Sequence, residues 1–144
     1  MGNDSGWLRE LRDRQLIQDT LTRYASALDL HTPDLFAEVF TDDAIIDYTA
    51  AEGIKGDWRE LRDWLAVTMS RFSGWQHLLS NMVVSIEGDE ASARTECYNP
   101  LVTAAGEVLH VGCNYTDRLR RVGDDWRIFQ RRLSVVWMDG PMPP

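Results

Sequence analysis

Residues 109–136 read LHVGCNYTDRLRRV, then GD, then DWRIFQRRLSVV, and this stretch decides the fold. Apolar and polar side chains alternate along residues 109–122, a pattern typical of a β-strand with one buried face. The dipeptide Gly123-Asp124 is a hairpin turn signal, and residues 125–136 provide the returning strand. The stretch therefore predicts a long antiparallel hairpin.

Further strands are expected before this hairpin. Residues 82–87 alternate in polarity and end at Gly88-Asp89, which is a second hairpin signal. Residues 91–99 supply the partner strand, and a turn follows around residues 104–106. An earlier β-prone run, residues 44–49, lies between two helical segments.

Three helical segments are expected, all in the first half of the chain. In residues 7–30, apolar side chains recur every three or four positions, which predicts a long amphipathic helix. A second helix is expected to begin with Thr32 as its N-cap and Pro33 at its first position. A third is expected to begin at Asp57, where Glu60 completes a capping box.

Helices followed by strands with short turns indicate an α+β fold, in which three helices cover one face of a mostly antiparallel sheet. A long twisted sheet curves, so we expect a cone with a small-molecule pocket on its concave side. The 144 residues correspond to one domain, residues 1–144. Its core is expected over about residues 8–137, and residues 138–144 form a Pro-rich tail unsuited to helix or central strand.

The composition argues against several classes of function. A net charge of −8 disfavours a nucleic-acid partner, because phosphate binding requires clustered Lys and Arg. The arginines that do cluster lie beside acidic residues, so we interpret them as a solvated, ion-paired sheet face: Arg118, Arg120, Arg121, Arg127, Arg131 and Arg132. No apolar run reaches the length of a membrane span, so no membrane partner is expected.

The N-terminal segment and the cysteines indicate a cytoplasmic protein. Residues 1–14 are polar and charged and lack the apolar core of a signal peptide. Cys97 and Cys113 have no CxxC spacing, so we expect free thiols in a reducing compartment. A disulfide between them is the alternative.

Asp29 and His77 are the first candidates for chemistry. Asp29 lies in the last turn of the long helix, where the dipole disfavours a carboxylate, so it either has a partner or faces solvent. His77 lies in the otherwise apolar stretch WQHLL, residues 75–79, and histidine is the usual general acid or base near neutral pH. It can equally be a partly buried structural histidine.

Two further candidates lie on strands. By alternation, His110 shares a face with Asn114 and small residues, and this stripe either lines a pocket or faces water. Tyr48 ends the first strand, where its hydroxyl can donate to a developing oxyanion or its ring can pack at the sheet edge. No metal is expected, because no two histidines have ligand spacing, and His31 is interpreted as a C-terminal helix cap.

Four runs carry a resemblance to a known family: RYASALD at residues 23–29, LFAEVFTDDA at 35–44, NYTDRL at 114–119 and DWRI at 125–128. They resemble SnoaL-like domains of the nuclear transport factor 2-like superfamily, whose cystatin-like fold is a cone of curved sheet closed by helices. The resemblance covers about residues 8–137 and implies the same fold here.

Within that superfamily, the pattern is most similar to scytalone dehydratase and hexachlorocyclohexane dehydrochlorinase. The resemblance implies that Asp29 and His77 remove a proton during elimination, while Tyr48 and His110 act on a substrate oxygen. It implies no cofactor. One departure is Leu28, where scytalone dehydratase has a second tyrosine. Other side chains are expected to bind a flat, apolar ring: Tyr24, Trp58, Trp64, Phe72, Trp75 and Asn114.

Three functions compete on this basis. The leading hypothesis is a cofactor-independent lyase or isomerase acting on a cyclic polyketide, terpenoid, steroid or related ring compound. The alternative is a non-catalytic binding or subunit domain with the same cone. An epoxide hydrolase or cyclase would need an Asp–Arg–Asp set that the sequence does not identify. We also expect a homodimer or homotrimer formed through the outer sheet face, because helices cover only the other face.

Overall fold

Seven strands form one sheet in the computed structural model, which describes residues 4–144. The strands are β1 (Phe40–Asp47), β2 (Lys55–Gly56), β3 (Phe72–Trp75), β4 (Leu78–Glu87), β5 (Glu90–Thr103), β6 (Val108–Val122) and β7 (Asp125–Asp139). Their order is β2-β1-β7-β6-β5-β3, and β4 also pairs with β5. Only the β1–β7 pairing is parallel, so the predicted mostly antiparallel sheet is confirmed.

Three helices accompany the sheet: α1 (Asp4–Asp29), α2 (Phe36–Val39) and α3 (Trp58–Met69). The predicted capping box of α3 is confirmed. The Asp57 side chain accepts from the backbone of Arg59 and Glu60 at 2.8 and 3.0 Å, and Glu60 accepts from Asp57 N at 2.8 Å. The expected Thr32 cap is wrong, because its side chain makes no such bond and a 3-10 turn, Pro33–Leu35, precedes only four α-helical residues.

The carboxyl end of α1 is closed by two backbone hydrogen bonds. His31 N donates to Leu28 O at 3.2 Å, and Thr32 N donates to Ala27 O at 2.8 Å. His31 has a φ of 57°, the left-handed conformation of a Schellman cap, so its expected capping role is confirmed through its backbone. This cap makes Asp29 the last helical residue and fixes where its side chain begins.

The strands follow the predicted hairpins. Gly88 and Gly123 both have a φ of 62°, the left-handed conformation that their tight turns require. β1 begins earlier than expected, at Phe40, and the short strands β2 and β3 were not predicted. All four long strands that build the two hairpins, β4 to β7, lie where the alternation placed them.

The core lies between the helices and one face of the sheet, which we call the inner face. Alternation along β5 and β6 points Cys97, Tyr115 and Leu119 to this face. The opposite, outer face presents Tyr98, His110, Asn114 and Trp137. The largest buried apolar side chains pack on the inner face or against it: Trp126, Tyr24, Phe36, Phe40, Ile17 and Leu21.

A β-bulge in β7 changes which of its residues face inward. Arg118 pairs with Gln130 but Leu119 pairs with Ile128, so Phe129 is the extra residue. Ile128 is buried before the bulge and Arg131 is buried after it, which inverts the alternation. The prediction that Arg131 belongs to a solvated, ion-paired face is therefore wrong: the bulge turns this arginine into the core, where it is 1 % exposed.

Candidate active site

Asp29 and His77 contact each other through two hydrogen bonds. His77 Nδ1 lies 2.8 Å from Asp29 Oδ1, and His77 N donates to Asp29 Oδ2 at 2.9 Å. The side chain of His77 is 6 % exposed and that of Asp29 is 27 % exposed. A carboxylate at Nδ1 favours the tautomer that carries its proton there, which leaves Nε2 as an acceptor. The contact expected from the sequence is present, while the catalytic roles stay predictions.

The backbone around His77 is held on three sides. Trp75 Nε1 donates to Leu28 O at 3.1 Å and so ties β3 to the end of α1. Gln76 N donates to Pro100 O at 3.2 Å, and Asn99 Nδ2 donates to Gln76 O at 2.6 Å. The link between β3 and β4 is thereby fixed to both α1 and β5, which directs His77 N toward Asp29.

A pair of buried tyrosines lies beside this dyad. The hydroxyls of Tyr24 and Tyr48 are 2.6 Å apart, and the two residues are 1 % and 3 % exposed. The Tyr24 ring meets the His77 ring edge-on, with centroids 6.5 Å apart. Burial raises the pKa of Tyr48 to about 12, although the charge of Arg131 opposes this rise. Both phenols therefore stay protonated at neutral pH and can donate.

Arg131 places a positive charge behind the tyrosines. Its Nε and Nη2 donate to Asp117 Oδ1 and Oδ2 at 2.7 and 2.8 Å, inside the core. Its guanidinium carbon lies 4.3 Å from the ring centroid of Tyr24 and 4.2 Å from that of Tyr115. Burial alone would lower the pKa of Arg131, but the Asp117 carboxylate holds it well above its ordinary value.

The remaining nitrogen of this guanidinium is unusual. Arg131 Nη1 is buried and has no hydrogen-bond partner among residues 4–144. Buried donors are nearly always paired, and the Tyr48 hydroxyl, whose raised pKa Arg131 partly offsets, is the candidate partner within this cluster. The sequence argument missed Arg131, because strict alternation from Trp126 and Ile128 places it outside. The only signal available was its spacing from Asp117 across a predicted hairpin.

His110 and Asn114 do not join the dyad, which corrects their predicted roles. They share the parity of the outer face, whereas Cys113 and Tyr115 take the inner one. His110 Nδ1 lies 2.6 Å from the hydroxyl of Tyr98, and the two rings stack. The polar stripe therefore lies on the outer face, where Gly112 and Asn114 border a surface cleft remote from the dyad.

The predicted aromatic residues differ in their depth of burial and in their neighbours. Trp64 meets Tyr48 edge-on at 6.1 Å, and Trp75 lies 4.7 Å from the ring of His31. Phe72 is partly buried at the start of β3. Trp58 is buried at the start of α3, with the guanidinium carbon of Arg59 4.3 Å from its ring centroid.

Two clefts on the surface lie away from Asp29 and His77. One, of about 460 Å³, lies between the first turns of α1 and the β4–β5 hairpin and is bordered by Asp13 and Arg121. The other, of about 260 Å³, lies on the outer face and is bordered by Tyr98, Asn114 and Trp137. Beside the dyad lie the buried side chains of Tyr24 and Tyr48.

Residues 4–144 contain neither a membrane-spanning helix nor a cluster of metal ligands. None of its helices combines the length and the apolar character needed to cross a bilayer. Within these residues, no three His, Cys, Asp or Glu side chains are grouped as ligands for a metal ion.

Comparison with known sequences identifies relatives over most of the chain. Residues 9–132 match the model of the SnoaL-like domain. The uncharacterized protein Rv2910c of Mycobacterium tuberculosis is 41 % identical over 124 residues, which cover 85 % of this chain and 84 % of that protein.

Two solved structures from Novosphingobium aromaticivorans share the fold. A putative aromatic ring hydroxylase has 27 % identity and a TM-score of 0.81, covering 91 % of this chain and 94 % of that one. A putative scytalone dehydratase has 19 % identity and a TM-score of 0.79, covering 94 % and 92 %. A further neighbour is described as an NTF2-like protein with a cystatin-like fold. With the family model matching most of its length, the chain belongs to the SnoaL-like domain family.

Proposed function

We propose that the protein is a cofactor-independent lyase or isomerase that removes a proton from a small ring compound. The observation that carries the proposal is the double contact between Asp29 and His77. A carboxylate held at Nδ1 and at the backbone N of one histidine orients the ring and leaves Nε2 available.

In this proposal His77 is the general base. Its Nε2 takes a proton from carbon next to a carbonyl, and the electron pair of the C–H bond moves toward that carbonyl. Asp29 keeps the required tautomer and stabilises the imidazolium that forms. In a dehydration, the leaving hydroxyl then takes a proton from the imidazolium and departs as water, which restores His77.

The tyrosines and Arg131 are proposed to act on the oxygen that gains charge. The hydroxyls of Tyr24 and Tyr48 are donors at neutral pH, and hydrogen bonds to a developing oxyanion are among the strongest contributions to catalysis. The unpaired Nη1 of Arg131 offers a charged donor in the same cluster. Asp117 holds that guanidinium in place through its other two nitrogens.

The substrate is proposed to be a flat, largely apolar ring. The aromatic side chains of Trp64, Phe72 and Trp75, which are partly buried against the core, suit such a compound better than a charged or flexible one. Two structural neighbours, described as a putative aromatic ring hydroxylase and a putative scytalone dehydratase, are compatible with this class. A cyclic polyketide, terpenoid or steroid belongs to it, and a cytoplasmic location suits this chemistry.

A non-catalytic binding domain is the second candidate. It is favoured by the mutual hydrogen bond of Tyr24 and Tyr48, because paired hydroxyls do not need a substrate. The two clefts described above also lie away from the dyad. In this case, ring compounds would bind without being converted.

Turnover of cyclic β-hydroxy ketones, followed by absorbance as water is lost, tests the proposal. His77→Ala is expected to abolish turnover, and Asp29→Asn to reduce it by about a hundredfold or more, because the imidazolium loses its counter-charge. Asp34→Asn is the matched control, since the Asp34 side chain is 91 % exposed and contacts Arg62 at the surface. Full activity of His77→Ala on any substrate that the native protein converts would refute the base assignment. Tight binding of ring compounds without conversion would favour the binding domain.

A further inference from the structure

Two buried thiols lie directly opposite each other in the wall beside the proposed active site. Cys97 on β5 pairs with Cys113 on β6, and both side chains are buried on the inner face. Both are free thiols, and the elimination proposed above uses neither of them. Since the β5–β6 register runs without interruption from Glu90 to Val102, the two residues are held opposite each other.

Their placement is compatible with a disulfide. Residues opposite each other in an antiparallel pair have Cα atoms about 4.5–5.5 Å apart, and a disulfide accepts about 4.4–6.8 Å. Their Cβ atoms are about 4.5–5.5 Å apart in such a pair, which is longer than most disulfides prefer. The strands must therefore approach slightly when the bond forms, and such a disulfide is readily reduced again.

The surroundings favour reaction at Cys113. The Cys97 thiol beside it lowers the pKa of Cys113, although burial acts in the other direction. Both cysteines also border the outer cleft of about 260 Å³ from the far side of the sheet, so a single layer of strands separates this cleft from their buried side chains. The neighbouring residue is Gly112, which pairs with Trp137, and the β6–β7 register shifts between Gly112 and Cys113. The β6–β7 pairing is therefore irregular directly beside Cys113.

We propose that Cys97 and Cys113 form a reversible disulfide in response to hydrogen peroxide. The Cys113 thiolate attacks one peroxide oxygen, the O–O bond breaks, and the departing hydroxide becomes water with the proton from Cys97. The Cys97 thiolate then attacks the sulfenic acid sulfur and the S–O bond breaks. The departing hydroxide takes up the proton that Cys113 released when it became a thiolate, and leaves as a second water. Both sulfurs are oxidised and the peroxide is reduced, and a dithiol reductant reverses the step.

Disulfide formation would affect the proposed active site by displacing Tyr115. This residue follows Cys113 by two positions on the same strand face, and its ring stacks on Tyr48 and meets Tyr24 edge-on. Drawing β5 and β6 together would move Tyr115 against the tyrosine pair. This regulatory part rests on the proposed function, whereas formation of the disulfide does not.

Peptide mapping of the peroxide-treated protein tests the disulfide. Native protein is treated with a small excess of hydrogen peroxide, remaining thiols are alkylated in denaturant, and peptides are analysed without reduction. We expect loss of both titratable thiols, one intramolecular Cys97–Cys113 peptide pair, and full recovery with dithiothreitol. Cys97→Ser, the matched control, is expected to stop at a sulfenic acid on Cys113 that dimedone traps.

Complete alkylation after peroxide, disulfides only between chains, or irreversible oxidation without a disulfide would each overturn the proposal. These readouts need no substrate, so they remain decisive if the proposed lyase activity fails. Where a substrate is found, oxidised native protein is expected to lose turnover and regain it with dithiothreitol. Unchanged turnover of fully disulfide-bonded protein would remove the regulatory part alone.

Discussion

Tyr48 shows how one hydroxyl can be important both for the core and for the proposed chemistry. Its ring packs between Trp64 and Tyr115, and its hydroxyl contacts that of Tyr24. Because His110 lies on the outer face, it cannot share a substrate oxygen with Tyr48. The tyrosine pair and Arg131 are then the remaining donors to that oxygen. Without a histidine to share this role, removal of the Tyr48 hydroxyl should lower the rate more severely.

We therefore expect Tyr48→Phe to lower kcat strongly on any substrate that the native protein converts, by about a hundredfold. Tyr24→Phe removes the same Tyr24–Tyr48 hydrogen bond but keeps the Tyr48 hydroxyl, so its loss of kcat should be smaller. Steady-state kinetics of both variants measure the difference. Equal losses would indicate that the hydrogen bond between the tyrosines matters, and not donation by Tyr48.

Asp117 stabilises the fold by compensating a buried charge. The Asp117–Arg131 pair is 0 % and 1 % exposed in its side chains, so Asp117→Asn leaves a guanidinium in the core without a counter-charge. Removing one partner of a buried ion pair typically costs about 3–5 kcal/mol, and we expect a loss of that size in the free energy of unfolding. Urea denaturation provides the measurement.

The matched control is Glu90→Gln, which removes the partner of Arg118 in an exposed cross-strand pair at 2.8 Å. Exposed pairs contribute little, so its unfolding midpoint should hardly change. If Asp117→Asn were equally mild, Arg131 would have to pair with another residue or with water. The proposal that Asp117 holds the guanidinium of Arg131 in place would then be wrong.

At the scale of the elements, Asp13 connects α1 to strands β6 and β7. It accepts from Arg121 Nη1 and Nη2 at 2.7 and 2.8 Å and from Trp126 Nε1 at 3.0 Å. The hydrogen bond from Arg121 is the main reason that the pKa of Asp13 falls from 3.8 to about 2. A carboxyl with a depressed pKa stabilises the fold above its ordinary pKa and loses that effect as pH falls through the lower value.

We expect Asp13→Asn to reduce the free energy of unfolding by about 1–3 kcal/mol at neutral pH, because Arg121 loses one of its two charged acceptors and keeps only the exposed Asp89. Between about pH 4 and pH 2, the native protein should lose this advantage while the variant does not, so the two stabilities converge. Denaturant titrations at several pH values measure this. A stability difference that stays constant down to pH 2 would contradict the assignment.

The elements also show what the sequence can predict and what it cannot. Alternation and turn residues were sufficient for the four long strands, and the Asp57–Glu60 pattern was sufficient for the start of α3. These signals are local. The bulge at Phe129 depends on the register between β6 and β7, which no local pattern encodes, and it decides that Arg131 belongs to the core.

The same distinction applies to the site. The pairing of Asp29 with His77 was predicted through the family resemblance alone. The two residues are 48 positions apart, and no spacing rule connects residues at that separation. His110 was placed correctly on its stripe, but which stripe faces inward depends on the helices that cover the sheet. Burial by α1 decides that the stripe with Cys113 and Tyr115 is the inner one.

At the scale of the whole molecule, the outer face is the surface that the helices leave uncovered. The end of β7 exposes Val136 and Trp137 there, next to Tyr98 on β5. Apolar side chains grouped on one exposed sheet face are typical of an interface between proteins. The face also carries charged residues of both signs, such as Arg94 and Glu96, which suits contact with a second copy of the same face.

We therefore expect a homo-oligomer, a dimer or trimer, in light scattering at micromolar concentration. Val136→Glu should shift it toward monomer while the circular dichroism spectrum stays unchanged, because burying a carboxylate at an interface without a partner is costly. Val67→Glu is the matched control: Val67 on α3 is 70 % exposed and Val136 is 65 % exposed, but Val67 lies on the helical side. A monomeric native protein would overturn the prediction. Dissociation by Val67→Glu, with none by Val136→Glu, would instead place the interface on the helices.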